Sequence, residues 1–207
     1  MRRAFLVSCI RGITGANARW VEHCSAKQCI YFANHTSHLD AIVLWASLPH
    51  ELRERTRPAA ARDYWEATRL RRYLAERVFH AILIDRTKVT VQNNPIKRMI
   101  EAMGEEYSLI IFPEGRRNQG DQLEEFKSGL FHLAKQKPEA ALVPVYIDNL
   151  NRILPKGEFL PVPLLSSITF GRPMPVIPNE SKGEFLERAR KAVCELNPNA
   201  EHRESIH

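Results

Sequence analysis

The sequence predicts a single α/β domain in which a mostly parallel or mixed central sheet is flanked by helices. Three observations support this prediction. The 207 residues, 44% of them hydrophobic, are enough for one continuous core. Short apolar runs that are typical of buried strands alternate with segments whose apolar residues recur at helical spacing. Polar residues directly follow these strands, and open α/β sheets form their sites at the carboxyl ends of strands.

The amino-terminal residues 1–20 combine apolar side chains with arginine. Arginines flank the apolar residues 4–10, and Trp20 lies at the end of the segment. This pattern is typical of an amphipathic segment on a lipid surface, although packing against the domain explains it equally well. We therefore expect three parts: this segment, a domain of residues 21–196, and a loose polar tail of residues 197–207.

The first predicted strand and helix enclose a polar turn. Residues 30–33 are apolar and are typical of a buried strand, and apolar side chains recur at helical spacing from Leu39 onward. Thr36 or Ser37 can cap this helix by accepting a hydrogen bond from its first backbone N–H groups. His35 is then left at the carboxyl end of the strand.

His35 and Asp40 are candidates for a base and the carboxylate that orients it. Within one helix they would lie about 140° apart, so they meet only if His35 precedes the helix and Asp40 lies inside it. A carboxylate that accepts a hydrogen bond from one imidazole nitrogen leaves the other free to take a proton from a hydroxyl or thiol. A structural role is the alternative, with His35 and His38 in a turn and Asp40 favoured by the helix dipole.

The remaining helices are predicted from capping and helix-ending residues. The first helix ends before Pro49, and Gly104 ends the third. Two capping boxes start helices, one of Asp63 with Glu66 and one of Ser181 with Glu184. The predicted helices begin near Leu39, Asp63, Asn94, Gly129 and Ser181, and the second and last extend to about Arg77 and Leu196.

The remaining strands are predicted from short apolar runs. Pro144 lies inside one of them, and because proline donates no ladder hydrogen bond, we expect that strand at an edge of the sheet or at a bulge. The predicted strands are residues 30–33, 79–84, 108–112, 141–147 and 167–170.

The charge balance favours anionic partners. With 30 Lys and Arg against 24 Asp and Glu, the formal charge is +6, which suits nucleic acid, phosphorylated ligands, acidic carrier proteins or anionic lipid. Arginines and aromatic residues are interleaved in residues 53–77, and near an anionic leaflet each basic residue contributes roughly 1 kcal/mol. A solvated helix face is the alternative. The sequence has no nucleic-acid-binding signature, so we expect no nucleic-acid partner.

Cysteine usage and hydropathy indicate the compartment. The four cysteines form no Cys-x-x-Cys pair and no secretory leader is evident, which favours a reducing cytosol. The longest apolar runs, residues 4–10 and 41–48, are shorter than the roughly 20 residues that cross a bilayer. We therefore expect peripheral contact with the cytoplasmic face of the inner or plasma membrane.

Four short segments, in this order, resemble the conserved blocks of the glycerolipid acyltransferase family. Residues 34–40 resemble the first block, in which four residues separate a His from an Asp. The other three blocks correspond to residues 84–86, 112–117 and 143–145. The resemblance covers about residues 29–147 and is strongest to bacterial 1-acylglycerol-3-phosphate acyltransferases. Four ordered blocks are far more specific than any one of them.

The resemblance implies transfer of a fatty acyl chain from acyl-CoA or acyl carrier protein to the free hydroxyl of 1-acylglycerol 3-phosphate. His35 would remove the hydroxyl proton and Asp40 would hold the imidazole. No cofactor is expected beyond the acyl donor, and no metal is expected. The expected partners are the lysophospholipid, the donor and an anionic membrane surface.

The third block offers groups for the acceptor. Pro113 ends the strand, and Gly115 permits a turn that a β-carbon would hinder. Arg117 can then match two phosphate oxygens, while Glu114 accepts from a glycerol hydroxyl or orients the arginine. A charged surface turn with an internal ion pair is the alternative.

Two further cations are candidates for phosphate binding. Arg86 directly follows a predicted strand, where it can bind phosphate or pair with Glu114, and the resemblance assigns its block to the acceptor. Ala81 stands where relatives commonly have Gly, and its methyl group narrows the space through which the acceptor approaches the backbone. Lys127 belongs to a Phe-Lys-x-Gly turn like that of relatives and can add a second cation, although an exposed lysine is the alternative.

Three other functions fit parts of the sequence. The acceptor can be another lysolipid, such as lyso-ornithine lipid. A metallohydrolase can use His35, His38 and Asp40 as ligands, but Thr36 and Ala41 stand where the His-x-His-x-Asp-His pattern needs histidine. A membrane-binding protein without catalytic activity also fits. The sequence predicts no oligomeric state.

Overall fold

A seven-stranded mixed sheet organises the computed structural model, which describes residues 17–85, 94–118, 122–148 and 166–198. Its strands are β1 (Asn17–Trp20), β2 (Cys29–Ala33), β3 (Thr56–Ala61), β4 (Ile82–Ile84), β5 (Ser108–Ile111), β6 (Ala141–Asp148) and β7 (Ser167–Phe170). Across the sheet the order is β1-β7-β6-β2-β5-β3-β4. The five strands from β6 to β4 are parallel, and β7 and β1 run in the opposite direction. The predicted α/β fold class is confirmed.

Helices flank this sheet. They are α1 (Asp40–Ser47), α2 (His50–Glu54), α3 (Arg62–Trp65), α4 (Arg69–Tyr73), α5 (Pro95–Met103), α6 (Gly129–Gln136) and α7 (Lys182–Cys194). A π-helical turn, Leu74–Val78, continues α4. Within the four described ranges, the helices are too short or too polar to cross a bilayer.

The central strand β2 is buried along its whole length and packs on both faces. Ile30 and Phe32 belong to a cluster with apolar residues of α5, α6 and α7. Tyr31 and Ala33 belong to a second cluster with residues of α1. Because successive side chains of a strand point to opposite faces, β2 joins the two layers of the core. The residues that follow β2 are therefore fixed relative to both layers.

The predicted start of α1 is wrong in detail. The helix begins at Asp40, its N-cap is Leu39, and neither Thr36 nor Ser37 caps it with a side chain. The carboxylate of Asp40 instead accepts hydrogen bonds from the backbone N–H groups of Thr36 and Ser37. The turn is therefore stabilised by the side chain of the first helical residue. The hydroxyl of Ser37 accepts a hydrogen bond from Leu39 N–H.

The helix predicted from Asp63 to Arg77 is also wrong. Strand β3 comes first, α3 begins at Arg62 without a side-chain cap, and Thr68 caps the separate helix α4. The sequence hides β3 because Thr-Arg-Pro-Ala-Ala-Ala contains almost no β-branched or aromatic residues. The predicted strand of residues 79–84 is shortened to β4, since Phe79 ends the π-helical turn.

Strand β6, which contains Pro144, does not lie at an edge. It pairs with β2 on one side and β7 on the other, so the edge prediction is wrong. The carbonyl of Pro144 accepts from Gly171 N–H, just beyond the last paired residue of β7, Phe170. The N–H and C=O of one strand residue point to the same neighbouring strand. The backbone N–H that Pro144 lacks would therefore face β7 beyond Phe170, where the pairing of the two strands has ended.

Several predicted ends are confirmed. Helix α5 starts with Asn94 as a side-chain cap and ends before Gly104, whose φ is +48°. The capping box of Ser181 and Glu184 starts α7.

Strand β1 lies within the expected amphipathic segment, and Trp20 stacks on Phe170 with ring centroids 3.9 Å apart. Residues 1–16 and 199–207 lie outside the described residues.

Candidate active site

His35 and Asp40 contact each other at the carboxyl end of β2. His35 Nδ1 lies 2.8 Å from Asp40 Oδ2. About 20% of the imidazole is exposed, whereas the carboxylate is completely buried. Within the described ranges no group hydrogen-bonds to Nε2 of His35. The arrangement matches the predicted geometry, in which one nitrogen is oriented and the other can meet a substrate.

The carboxylate of Asp40 is held by the backbone of the preceding turn. Besides the imidazole, Oδ2 accepts from Thr36 N–H at 2.6 Å and from Ser37 N–H at 2.8 Å. These two backbone donors fix the carboxylate beside the imidazole. Asp40 can therefore orient His35 and stabilise a protonated imidazole.

The turn after β5 fixes the backbone of His35. Its N–H donates to Glu114 Oε1 at 2.8 Å, and its carbonyl accepts from Asn118 N–H at 2.7 Å. The ring stacks on Phe112, with centroids 4.3 Å apart and planes at 23°. Because β2 and β5 are neighbouring strands, the turn that follows β5 lies next to His35 and holds the candidate base in place.

Glu114 is buried, and its carboxylate joins two segments of the chain by accepting a hydrogen bond from each. Oε1 accepts from His35 N–H, and Oε2 accepts from Glu124 N–H at 3.3 Å. Burial raises the pKa of the carboxyl, and the two backbone N–H donors oppose that rise. The sequence did not reveal this connection, since a buried and a substrate-binding Glu look alike after a strand. Its role in acceptor binding stays a prediction.

Asn34 is a second positioning residue that the sequence did not reveal. Its amide nitrogen donates to the carbonyl of Ile147 at 2.9 Å, and its oxygen accepts from Ile147 N–H at 2.7 Å. The side chain thereby imitates one more pair of sheet hydrogen bonds between the ends of β2 and β6. The turn that carries His35 is therefore attached to both neighbours of β2.

Gly115 and Lys127 lie against each other. Gly115 has a φ of +71°, and a β-carbon there would come within 2.9 Å of Lys127 Nζ. Lys127 N–H donates to the carbonyl of Pro113 at 2.9 Å, which fixes the lysine backbone to the same turn. The ammonium group thus lies over the third-block turn, and its role in phosphate binding stays a prediction.

Arg117 is exposed and lies close enough to His38 to affect its charge. Burial is the largest cause that lowers the pKa of His38 to about 4, and electrostatic repulsion from Arg117 and from neighbouring groups acts in the same direction. His38 is therefore neutral at pH 7. Arg86 lies outside the described residues, so its binding to phosphate or to Glu114 stays a prediction.

His38 does not join His35 and Asp40. Its ring stacks on Tyr64, with centroids 4.1 Å apart and planes at 12°. The guanidinium of Arg71 lies 4.4 Å from the centroid of the same tyrosine ring. In the part of the chain that the structure describes, no three His, Cys, Asp or Glu residues are grouped to hold a metal ion.

Replacing Gly115 by alanine should both strain the turn and displace Lys127. The positive φ should cost about 1–2 kcal/mol of stability, because the added β-carbon crowds the backbone in this region. Gly104→Ala is the matched control, since it also has a positive φ but no atom within 4 Å of the added carbon. We expect both variants to lose stability in urea denaturation, but only Gly115→Ala to raise KM for a phosphate-bearing acceptor. Equal KM values would contradict the placement of Lys127 at the phosphate.

Comparisons with known proteins identify the family of the chain. A family model described as Acyltransferase matches residues 16–148. The chain is 31% identical over 147 residues to the 1-acyl-sn-glycerol-3-phosphate acyltransferases of Limnanthes douglasii and Limnanthes alba. Both alignments cover 69% of this chain and 49% of the plant protein, so the chain spans about half the length of these relatives.

A solved structure shares the fold. The crystal structure of the 1-acyl-sn-glycerophosphate acyltransferase PlsC from Thermotoga maritima superposes with a TM-score of 0.70. The match covers 99% of this chain and 82% of that protein, at 17% sequence identity. The family model covers more than half of the chain and includes the four ordered blocks. The predicted resemblance is thus confirmed, and the chain belongs to the acyltransferase family.

Proposed function

We propose that the chain transfers a fatty acyl group from a thioester donor, acyl-CoA or acyl carrier protein, to the free hydroxyl of 1-acylglycerol 3-phosphate. The product is phosphatidic acid, an intermediate of phospholipid biosynthesis. The observation that carries this proposal is the contact of 2.8 Å between His35 and Asp40 at the carboxyl end of the central strand. Family membership and the relatives named above support the choice of substrates.

The proposed reaction is one displacement at the thioester carbonyl. Nε2 of His35 takes the hydroxyl proton while the hydroxyl oxygen attacks the carbonyl carbon. The new C–O bond forms, the C–S bond breaks, and the leaving thiolate receives the proton. Asp40 stabilises the transient imidazolium. General-base catalysis of this kind contributes about 10²- to 10⁴-fold, and positioning of the two substrates supplies much of the rest.

Cations around the third-block turn are proposed to bind the acceptor phosphate. Lys127 Nζ lies over Gly115, and Arg117 is exposed two residues further along the turn. Arg117 supplies the planar fork that matches two phosphate oxygens, and Lys127 supplies a point charge. We infer that Arg86 adds a third cation. The acceptor headgroup then lies beside His35, with its free hydroxyl toward Nε2.

Arg117→Gln should weaken binding of phosphate-bearing acceptors. Loss of one charge-assisted contact is expected to raise KM about tenfold or more, since such bonds contribute about 1.5–3 kcal/mol. Arg116→Gln is the matched control, because Arg116 is an exposed neighbour that pairs with Glu124 at 2.8 Å. KM should be measured for 1-acylglycerol 3-phosphate and for a neutral monoacylglycerol. An equal rise for both acceptors would argue against phosphate recognition by Arg117.

A panel of donors and acceptors tests the proposed function as a whole. Purified protein should be assayed with acyl-CoA and with acyl carrier protein, each against lysophosphatidate, other lysophospholipids and lyso-ornithine lipid. We expect the highest rate of thiol release and of acylated product with lysophosphatidate. A higher rate with lyso-ornithine lipid would reassign the acceptor. No transfer to any acceptor from either donor would contradict the acyltransferase proposal.

We also infer that the protein works at the surface of an anionic membrane, on the cytoplasmic face. The acceptor and product carry acyl chains that reside in a bilayer, whereas both donors are dissolved in the cytoplasm. The formal charge of +6 supports attraction to anionic lipid.

A further inference from the structure

Helix α4 exposes apolar side chains beside the candidate active site. Leu70 is 67% exposed and Tyr73 is 52% exposed. Among the described residues only two other large hydrophobic side chains are exposed, Val21 and Ile177, and they lie in separate parts of the chain. None of the five residues of α4 is buried. Packing in the core therefore does not account for the apolar residues of this helix.

The same helix is strongly basic. Its sequence, Arg-Leu-Arg-Arg-Tyr, contains three arginines and no acidic residue. Arg69 and Arg72 are exposed, and Arg72 pairs with Glu76 of the following turn at 2.9 Å. Exposed aliphatic and tyrosine side chains between arginines are typical of segments that lie in the interface of an anionic bilayer.

Side-chain contacts connect α4 to the candidate active site. Arg71 lies over the ring of Tyr64, and Tyr64 stacks on His38. His38 belongs to the turn that carries His35. The turn directly follows β2, and α4 follows β3 after the short helix α3. Because β2 and β3 are parallel, the turn and α4 both lie at the carboxyl-terminal edge of the sheet. A surface that contacts α4 would therefore also lie close to His35.

We propose that α4 is a membrane-docking helix. Leu70 and Tyr73 insert into the interfacial region of an anionic bilayer, while Arg69 and Arg72 contact lipid headgroups. This inference rests on the proposed function, because it explains how an acceptor with its acyl chain in the bilayer reaches His35. The Thr68 cap and the π-helical turn that follows α4, whose Ala75 is buried in the core, hold the helix in place.

A lipid surface fits α4 better than a protein partner does. Stable protein interfaces bury about 800 Å² on each partner, which is far more than two exposed side chains of one short helix can supply. A bilayer needs no shape complementarity, since binding scales with buried apolar area and with charge attraction. An acidic carrier protein is the alternative occupant, and vesicle binding together with activity on each donor separates the two.

The experiment measures partition of the full chain into vesicles of phosphatidylcholine alone and of phosphatidylcholine mixed with phosphatidylglycerol. Leu70→Ser should weaken partition about threefold or more, and Leu70→Ser with Tyr73→Ser about tenfold or more, because buried apolar area is lost. Ile177→Ser is the matched control, as it removes an exposed aliphatic side chain elsewhere. Arg69→Gln should weaken binding only to the anionic vesicles, and Arg172→Gln should not.

Thiol release with a short-chain, water-soluble acceptor reports catalysis without a membrane. If the double variant binds both vesicles as wild type does, the docking helix is wrong. It is also wrong if this variant keeps vesicle binding but loses only activity with acyl carrier protein, because α4 then binds the donor protein. If wild type docks through α4 but transfers no acyl group to any acceptor, the proposed function fails and the docking helix stands.

Discussion

The variant His35→Ala is expected to transfer acyl groups about 10²- to 10⁴-fold more slowly than wild type, which is the usual contribution of a positioned general base. The hydroxyl of the acceptor is a poor nucleophile until its proton is removed. Nδ1 is engaged by Asp40, so Nε2 is the nitrogen of His35 that can take this proton. The effect should appear in kcat, because other residues are proposed to hold the acceptor phosphate.

The control for His35→Ala is His132→Ala, which removes an exposed imidazole from α6. Both variants should be compared with wild type by thiol release and by formation of phosphatidic acid, after circular dichroism shows that they are folded. His132→Ala should keep the wild-type rate. A folded His35→Ala protein that is as fast as wild type would show that another group is the base.

Two replacements of Asp40 are expected to have large effects. Asp40→Asn should lower activity, and Asp40→Ala should lower stability. An amide cannot stabilise an imidazolium as a carboxylate does, so Asp40→Asn should lower kcat about 10²-fold or more. Asp40→Ala leaves the backbone N–H groups of Thr36 and Ser37 without their acceptor in a partly buried turn. Since each unsatisfied buried donor costs about 1–3 kcal/mol, the unfolding free energy should fall by about 2–4 kcal/mol.

Asp63 provides the control for Asp40, because it also lies in the first turn of a helix, α3. Because Asp63 is exposed, Asp63→Ala should lower the unfolding free energy by less than Asp40→Ala does. Urea denaturation measures the stability of all variants, and kcat and KM are measured for Asp40→Asn. If Asp40→Ala were no less stable than Asp63→Ala, the carboxylate would be an ordinary helix-start acid.

The sequence predicted the part of the site that depends on neighbouring residues. An apolar strand, a polar turn and a helix follow one another within residues 30–48, and this order places His35 before the helix and Asp40 inside it, where the two can meet. Local capping residues also predicted the start of α5 and α7 correctly. In each case the interaction that determines the structure joins residues fewer than six positions apart.

The sequence did not predict interactions that depend on strand order. Glu114 and Asn118 hold His35 only because β5 lies beside β2, and Asn34 holds Ile147 only because β6 lies on the other side. These contacts join residues far apart in the chain, and local patterns do not contain strand order. Strand β3 was missed for a different reason, since alanines packed between neighbouring strands give no strand signal of their own.

The measurement that tests the account most directly is thiol release from the acyl donor by the wild-type protein, with and without 1-acylglycerol 3-phosphate. Direct transfer through a general base predicts slow release without the acceptor, and one phosphatidic acid formed per thiol with it. A burst of thiol equal to the protein concentration without acceptor, together with protein whose mass has increased by one acyl chain, would contradict direct transfer. Thiol release that the acceptor does not accelerate with either donor would contradict the function itself.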